Sequence, residues 1–421
     1  MTNSPTDTGE RRRAVIQMID ERRALAVEWL RALIATDSEA PHERAAQVLL
    51  AQIAESSGLA ARFIASDHDG QLASHPRFVE TGASYDDRPN CVITFPGENT
   101  AAYVCNAHID TVAVGDGWRR NPKGEPDGDY FFGRGACDAK GSAVAVLLAM
   151  SCMQAAGVGP GRGLELHSVV DEEPGGNGTL GLLRALYQDQ PERASQARLA
   201  IVLEPTSLDV LVGHRGMLWY GLSCVGRQAH GSGNAGVNAI EQAADVVASL
   251  RELNHRFSTE TAGAYGQPRL NVGVIRGGQE SYTTPGLCDL EFSARYAPGQ
   301  RDAVSRQITE ALASVSTVNS PIIRYCRDFE ASQTPSDDPA VVEMLTASRR
   351  HRPATRIATL AGTCDMRHYR NEWGIPTVVF GPGDLNVAHA ADEFVEVGEI
   401  LTTAKIIVEL VLNDSASDIA T

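Results

Sequence analysis

No two of the eight cysteines (91, 105, 137, 152, 224, 288, 326, 364) stand in C-x-x-C spacing. That absence argues against a cysteine-zinc site and a disulfide framework, and the thiols read as reduced, buried small side chains. Long apolar runs are missing too: no segment reaches the roughly 18 apolar residues that a membrane span needs. The N-terminal stretch "MTNSPTDTGERRRAVIQMIDERRALAVEWLRALI" carries basic residues with no apolar run after them. Its apolar residues recur on one helix face, which predicts a surface helix in place of a signal peptide. Positive charge is in deficit, with 37 Lys+Arg against 53 Asp+Glu and a net charge of −16. A nucleic-acid binder that tracks phosphates needs a basic face, so this balance argues against one. There is no internal repeat and no low-complexity linker. The expectation is a cytoplasmic protein with no nucleic-acid and no membrane partner.

What is present fits a globular protein: 43% apolar and 21% charged residues over 421 positions, long enough for two domains. Helical spacing continues at 42–57, followed by a short strand at 60–65. Residues 66–90 are polar and irregular, too long for a simple connection, and read equally as a lid-like loop or a surface insertion. Strand-like runs at 91–95, 101–107, 164–170 and 198–203 alternate with helices at 140–156 and 178–188. Such alternation predicts an α/β domain with a mixed, mainly parallel sheet. From 213 to 330 the pattern restarts: strand 217–226, helix 237–256, strands 269–276 and 287–295, helix 302–316. A helix at 338–350, a strand at 374–381 and a helix at 397–413 then resume the first pattern. The expected organisation is one catalytic domain in two parts, 1–212 and 331–421, interrupted by a smaller α+β domain at 213–330.

The stretch "VVDEEPGGNG" sets Glu172 and Glu173 side by side after an apolar strand, where adjacent like charges repel and resist burial. Other loops at the same edge also carry residues of the metal-binding type. One core strand is followed by His108 and Asp110, a helix is preceded by Asp138, and another strand leads to Glu204. His389 follows the last strand. Singly, each has an ordinary use: Asp138 could cap its helix, and the paired glutamates could form a solvated turn. Together they fall where an open α/β sheet binds ligands, at the carboxyl ends of its strands. Two divalent ions would balance the set. Asp138 then bridges them, His108 and one carboxylate complete one shell, and His389 and another carboxylate complete the second. One of the paired glutamates is left to accept a proton from water, and spacing alone leaves open which. Asp110 is placed to hold the far nitrogen of the His108 ring.

The segments "NAHIDTVAVGDGW", "GRGACDAKGS", "DEEPGGNGT", "LEPT", "GHRG", "AHGSG" and "AGTCDMRHY…GIPTVVFGPGDLNVAHAADE" resemble, in order, the motifs of a two-zinc metallopeptidase family. That family contains acetylornithine deacetylase, succinyl-diaminopimelate desuccinylase and glutamate carboxypeptidase, and the likeness runs from about residue 25 to 412. The resemblance implies two Zn2+ per chain, replaceable by Co2+ or Mn2+, held by His108, Asp138, Glu173, Glu204 and His389. It implies Glu172 as general base, Asp110 orienting His108, and a cis peptide after Asp138. It further implies that the inserted domain is a ferredoxin-like lid and dimerisation module. His230 would stabilise the oxyanion, reaching across a homodimer, and Arg295 and Arg367 would grip a substrate carboxylate.

Four positions depart from the family pattern. Ala107 stands for a usual Gly, Ala113 for a Pro, Tyr282 for an Asn facing the substrate, and Ser293 for an Asp. The last two touch the substrate pocket and leave the metals alone. The implied reaction is removal of an acyl group from a small N-acyl amino acid by a metal-bound hydroxide. "DEEPGGNGT" and "GTCDMR" lie nearest the deacetylase/desuccinylase branch. The alternatives are a carboxypeptidase or dipeptidase of the same superfamily, whose substrate would be a short peptide, and a catalytically silent binding protein. Glu204 argues against the aminopeptidase-like branch, where an aspartate is usual.

Overall fold

A computed structural model describes residues 5–95, 102–158, 163–315 and 319–412, so the expected element ends at 101, 316 and 413 lie outside the described residues. The chain forms two compact units, Met1–Gly213 with Thr334–Ala358 and Cys364–Thr421, and His214–Gln333 with Thr359–Thr363.

The first unit is built on a mixed sheet. Its strands run in the order Ala60–Ala65, Pro89–Phe95, Leu164–Val169, Tyr103–His108, Leu199–Val202, Thr377–Val379, Val210–His214. The four strands from Leu164–Val169 to Thr377–Val379 are parallel, with Cys105 opposite both Leu166 and Ile201. On both flanks the pairing is antiparallel. The parallel part is therefore confined to the centre, where strands buried on both faces read as unbroken apolar runs, as in Leu199–Val202.

Helix Gly141–Ala155, rich in Ala, Leu and Met, is buried from Gly141 to Met153. With the turn before it, this segment (136–155) is long and apolar enough to cross a membrane, contrary to the expectation that no run would be. It is wholly buried, and its apolarity serves a helix covered on all sides by protein. Each fully buried Leu or Val in this core contributes about 1.5–3 kcal/mol of transfer free energy. The C-terminal helix Val397–Val411 packs beside it. A small sheet that the sequence pattern did not announce joins Glu125–Asp127, Tyr130–Phe132 and Phe394–Glu396. It draws the chain after His389 back toward the chain before Asp138.

The second unit is a four-stranded antiparallel sheet, ordered Arg269–Gly277, Leu287–Tyr296, Gly216–Val225, Ile322–Phe329. Helices Ala239–Ser258 and Arg301–Ala313 complete a βαββαβ, ferredoxin-like arrangement. Strand Leu287–Tyr296 alternates between core and outer face, as a sheet covered on one side requires. Tyr220 and Phe292 stack at 4.9 Å among Leu222, Val246 and Leu250. Asn238 caps the first helix by accepting from the N–H groups of Ile240 and Glu241. All eight cysteines are free, and seven are buried; Cys326, expected inside, is exposed on strand Ile322–Phe329.

Candidate active site

Parallel strands deliver their carboxyl ends to one edge. His108 ends its strand opposite Val169, whose own strand leads into Asp171, Glu172 and Glu173. Glu204 follows Leu199–Val202, and the Gly381–His389 loop follows Thr377–Val379.

Two groups of ligand atoms form there, each closing to within 4.8 Å: His108, Asp138 and Glu204, and Asp138, Glu173 and His389. Asp138 is common to both. Its Oδ1 lies 2.9 Å from His108 Nε2 and its Oδ2 3.2 Å from His389 Nε2, while His389 Nε2 is 3.0 Å from Glu173 Oε1. Glu172 belongs to neither group. The peptide between Asp138 and Ala139 is cis.

The electrostatics are those of an acidic pocket short of positive charge. Burial pushes the Glu204 carboxyl well above its ordinary range, and the Asp138 charge adds to this. Burial likewise raises Glu172, followed by the charges of Glu204 and Asp365. Burial would raise Asp138 also, but hydrogen bonds from His108 and His389 outweigh it and hold this carboxylate low. Bonds to Asp138 and Glu173 push His389 up to about 10. Two histidines and three carboxylates in two groups that share one aspartate are a fitting donor set for a pair of divalent cations, whose charge would relieve the repulsion.

The neighbours of these residues fix their directions. His108 Nδ1 is 3.0 Å from the main-chain oxygen of Asp110 and 3.7 Å from its carboxylate. The Asp110 carboxylate instead accepts the N–H groups of Glu172 (3.2 Å) and Glu173 (3.0 Å). Asp110 thus orients the ring chiefly through its backbone, and its side chain anchors the glutamate pair. Asp171 and His389 both adopt left-handed backbone conformations, at φ +62° and +60°, which cost a non-glycine residue about 1–2 kcal/mol. Gly176 at φ +72° is glycine of necessity, since a Cβ there would lie 2.4 Å from Asp365 Oδ1.

Sequence reasoning passed over two supports. Glu393 is fully buried and accepts from Arg134 (2.5 Å) and from the N–H groups of Cys137 (3.0 Å) and Asp138 (3.2 Å). Arg134 also donates to the His389 carbonyl at 3.2 Å, so one ion pair braces both sides of the shared aspartate. Its only signal was an acidic residue four places after His389, in "HAADE". Asp365, also buried, accepts from Thr179 at 2.5 Å.

Arg367 is only 4% exposed and donates to the carbonyls of Gly175 (2.7 Å) and Cys364 (3.2 Å). It ties the "GTCDMR" segment to the turn after Glu173.

The remaining expected residues lie in the second unit. His230 is exposed on the short strand Ala229–His230, which pairs with Thr283–Thr284, and its Nδ1 accepts from Ser232 Oγ at 2.8 Å. Tyr282, 63% exposed, flanks it: the Gly231 N–H donates to the Tyr282 carbonyl at 2.8 Å. Arg295 is half-buried opposite Arg269, and one of its guanidinium nitrogens, Nη1, is buried without a hydrogen bond. Burial and then the charge of Arg215 lower its pKa. Ser293 stands two residues earlier on the same strand, opposite Trp219.

Residues 104–413 match the model of Peptidase family M20/M25/M40. The chain is 25% identical over 366 residues to the N-formyl-4-amino-5-aminomethyl-2-methylpyrimidine deformylase of Bacillus subtilis, covering 78% of this chain and 84% of that one. It is 28% identical over 338 residues to the acetylornithine deacetylase of Salmonella heidelberg, covering 75% and 81%. The structure of the di-peptidase Dug1p from Saccharomyces cerevisiae matches in fold with a TM-score of 0.74 at 13% identity, over 96% of this chain and 99% of the other. With 310 consecutive positions matched and the shared-aspartate site in place, the chain belongs to peptidase family M20/M25/M40 and is a hydrolase of amide bonds.

Proposed function

We propose that this hydrolase removes an acyl group from a small N-acyl amino acid, using two Zn2+ ions held by His108, Asp138, Glu173, Glu204 and His389. The observation that carries the reading is the pair of ligand groups sharing Asp138, with Glu172 left outside both. Bound, the ions would supply Lewis acidity toward the amide carbonyl and lower the pKa of water. Glu172 takes the proton from the attacking water and returns it to the leaving amine as the C–N bond breaks. His230 stabilises the developing oxyanion. Arg295, with an unfilled guanidinium donor, accepts the substrate carboxylate in a bidentate geometry. Arg367, which also holds the glutamate turn through the carbonyls of Gly175 and Cys364, grips the substrate carboxylate. Tyr282, beside His230, bears on which acyl group is accepted. The second unit serves as lid and homodimer interface, and the free cysteines suit a reducing cytoplasm.

A carboxypeptidase or dipeptidase activity is the second reading, since the unfilled donor of Arg295 suits a peptide C-terminus equally. One experiment addresses both: metal content together with hydrolysis of N-acetyl, N-succinyl and N-formyl amino acids and of dipeptides. About two ions per chain and cleavage of one acyl class only supports the first reading. Cleavage of dipeptides alone replaces it with the second, and failure to bind any ion in excess zinc overturns both.

A further inference from the structure

The long polar segment before strand Pro89–Phe95 packs within the first unit, behind the glutamate turn. Asp171, the residue immediately before Glu172, is fully buried. Its carboxylate accepts three side-chain hydrogen bonds, from the Tyr85 hydroxyl (2.7 Å), Arg88 Nη2 (2.9 Å) and Asn177 Nδ2 (3.1 Å). Two of the three donors come from this segment. Arg88 is 4% exposed and also holds the fully buried Glu43. Asn177 exchanges two bonds with the main chain of Val79, donating at 2.8 Å and accepting at 3.0 Å, and its second amide hydrogen is shared between the Asp171 carboxylate and the Tyr85 oxygen. Further back, His75 and Arg77 meet Glu372, the last residue of the helical turn that begins at His368, at 3.2 and 3.4 Å. The segment is thus tied both to the turn bearing Glu172 and to the one following Arg367.

The grip falls on a backbone that needs it. Asp171 sits at φ +62°, a conformation that a non-glycine residue keeps only where its surroundings over-determine it. The direction in which Glu172 leaves the strand is set by that dihedral angle. On the far side, Asp110 accepts the N–H groups of Glu172 and Glu173. The turn is therefore held from two directions, by Asp110 through main-chain N–H groups and by Tyr85 and Arg88 through the Asp171 carboxylate.

We propose that Tyr85 and Arg88 are positioning residues for the general base: they fix Asp171 in its left-handed conformation and so aim Glu172 at the reacting water. This rests on reading Glu172 as the base. Neither residue contacts any of the five expected metal ligands by a hydrogen bond or ion pair shown in the described residues. The effect should therefore appear in turnover and leave metal binding intact. Burial and the neighbouring Asp171 charge both raise the Tyr85 phenol, so it remains a donor throughout the working pH range.

The test uses the full-length, metal-loaded protein and Tyr85→Phe, which removes one oxygen and leaves the ring in place. The measurements are kcat and KM separately, metal content, and hydrogen exchange of the main-chain amides over 171–178. The expected result is a fall in kcat of about tenfold, since small displacements of a reacting group are costly. KM and metal content stay within about twofold, and exchange over the turn becomes faster. Arg88→Lys keeps the charge without the planar fork and should act in the same direction. If Arg88→Lys does not fold, Tyr85→Phe decides alone. A lower melting temperature with kcat and exchange both unchanged would mean a merely structural contact and overturns the proposal. If the wild type cleaves no amide on the panel, the hydrolase reading fails by itself. Faster exchange in Tyr85→Phe then still upholds the grip on Asp171, and unchanged exchange removes it.

Discussion

The Asp110 carboxylate accepts the main-chain N–H of Glu173 at 3.0 Å, so a residue two places after His108 fixes a carboxylate that follows a different strand. The same carboxylate takes the Glu172 N–H at 3.2 Å. Asp110→Asn replaces one of the two accepting oxygens by an amide group, which donates. The expected outcome is a loss of roughly 10–100-fold in metal affinity, as for other outer partners of a metal centre. Competition with a coloured chelator measures it, and an unchanged affinity would show that the turn holds without Asp110.

Glu172→Gln keeps size and polarity and removes the carboxylate proposed as the base. Since Glu172 lies outside both ligand groups, the variant should keep its full complement of ions while the turnover rate falls by roughly 10²–10⁴-fold. Metal analysis and a hydrolysis assay on one preparation check this. Loss of an ion would instead make Glu172 a ligand.

Glu393→Gln leaves the Arg134 guanidinium buried with its charge partner gone. Breaking a buried pair in this way costs about 3–5 kcal/mol, and here it also loosens the supports of Asp138 and His389. Urea unfolding of the metal-loaded protein should show the loss, and metal dissociation should be faster. Unaltered unfolding would mean that the pair contributes little to the fold.

Glu409, on the C-terminal helix, faces Arg350 (2.7 Å), Arg12 (3.3 Å) and His351 (3.4 Å). Burial alone would raise its carboxyl, but hydrogen bonds from His351 and Arg350 and the nearby charges hold it below its ordinary value of 4.5. A folded-state value below the unfolded one means that its stabilisation is fully present above about pH 4.5 and is lost as pH falls through the depressed value. Glu409→Gln should therefore destabilise by about 1–2 kcal/mol at neutral pH, with the difference shrinking toward about pH 3. Parallel denaturation curves at the two pH values test this, and a difference independent of pH would assign the loss to packing.

Much of this architecture was legible because its signals are local. The strand at 60–65 and the helix Gly141–Ala155 follow from runs and periods within single segments. The metal-type residues stood out because they follow core strands or, for Asp138, precede a core helix. Weaker signals failed for identifiable reasons. The three-residue strands Glu125–Asp127, Tyr130–Phe132 and Phe394–Glu396 are too short to show alternation, and they exist because each finds a partner. The antiparallel flanks of the sheet are a matter of chain direction, which composition does not encode. The bonds that Arg367 makes to the carbonyls of Gly175 and Cys364 join distant segments, so no local pattern announces them. The segment before Pro89 read equally as a lid-like loop or a surface insertion because its anchors, Glu43, Asp171 and Glu372, lie far from it along the chain.

The sequence by itself determined the chemistry at the edge of the sheet. Residue types at strand ends supply two histidines and a surplus of carboxylates, and continuous apolar strands with right-handed connections bring such ends together. What spacing leaves open, and the tertiary structure distinguishes, is which of the paired glutamates joins a ligand-type group. Glu172 and Glu173 are identical side chains on adjacent residues, and no property of the chain distinguishes them locally. They part because Asp171 is locked at a positive φ and Asp110 holds both their N–H groups, which turns Glu173 toward Asp138 and His389 and leaves Glu172 outside the ligand groups.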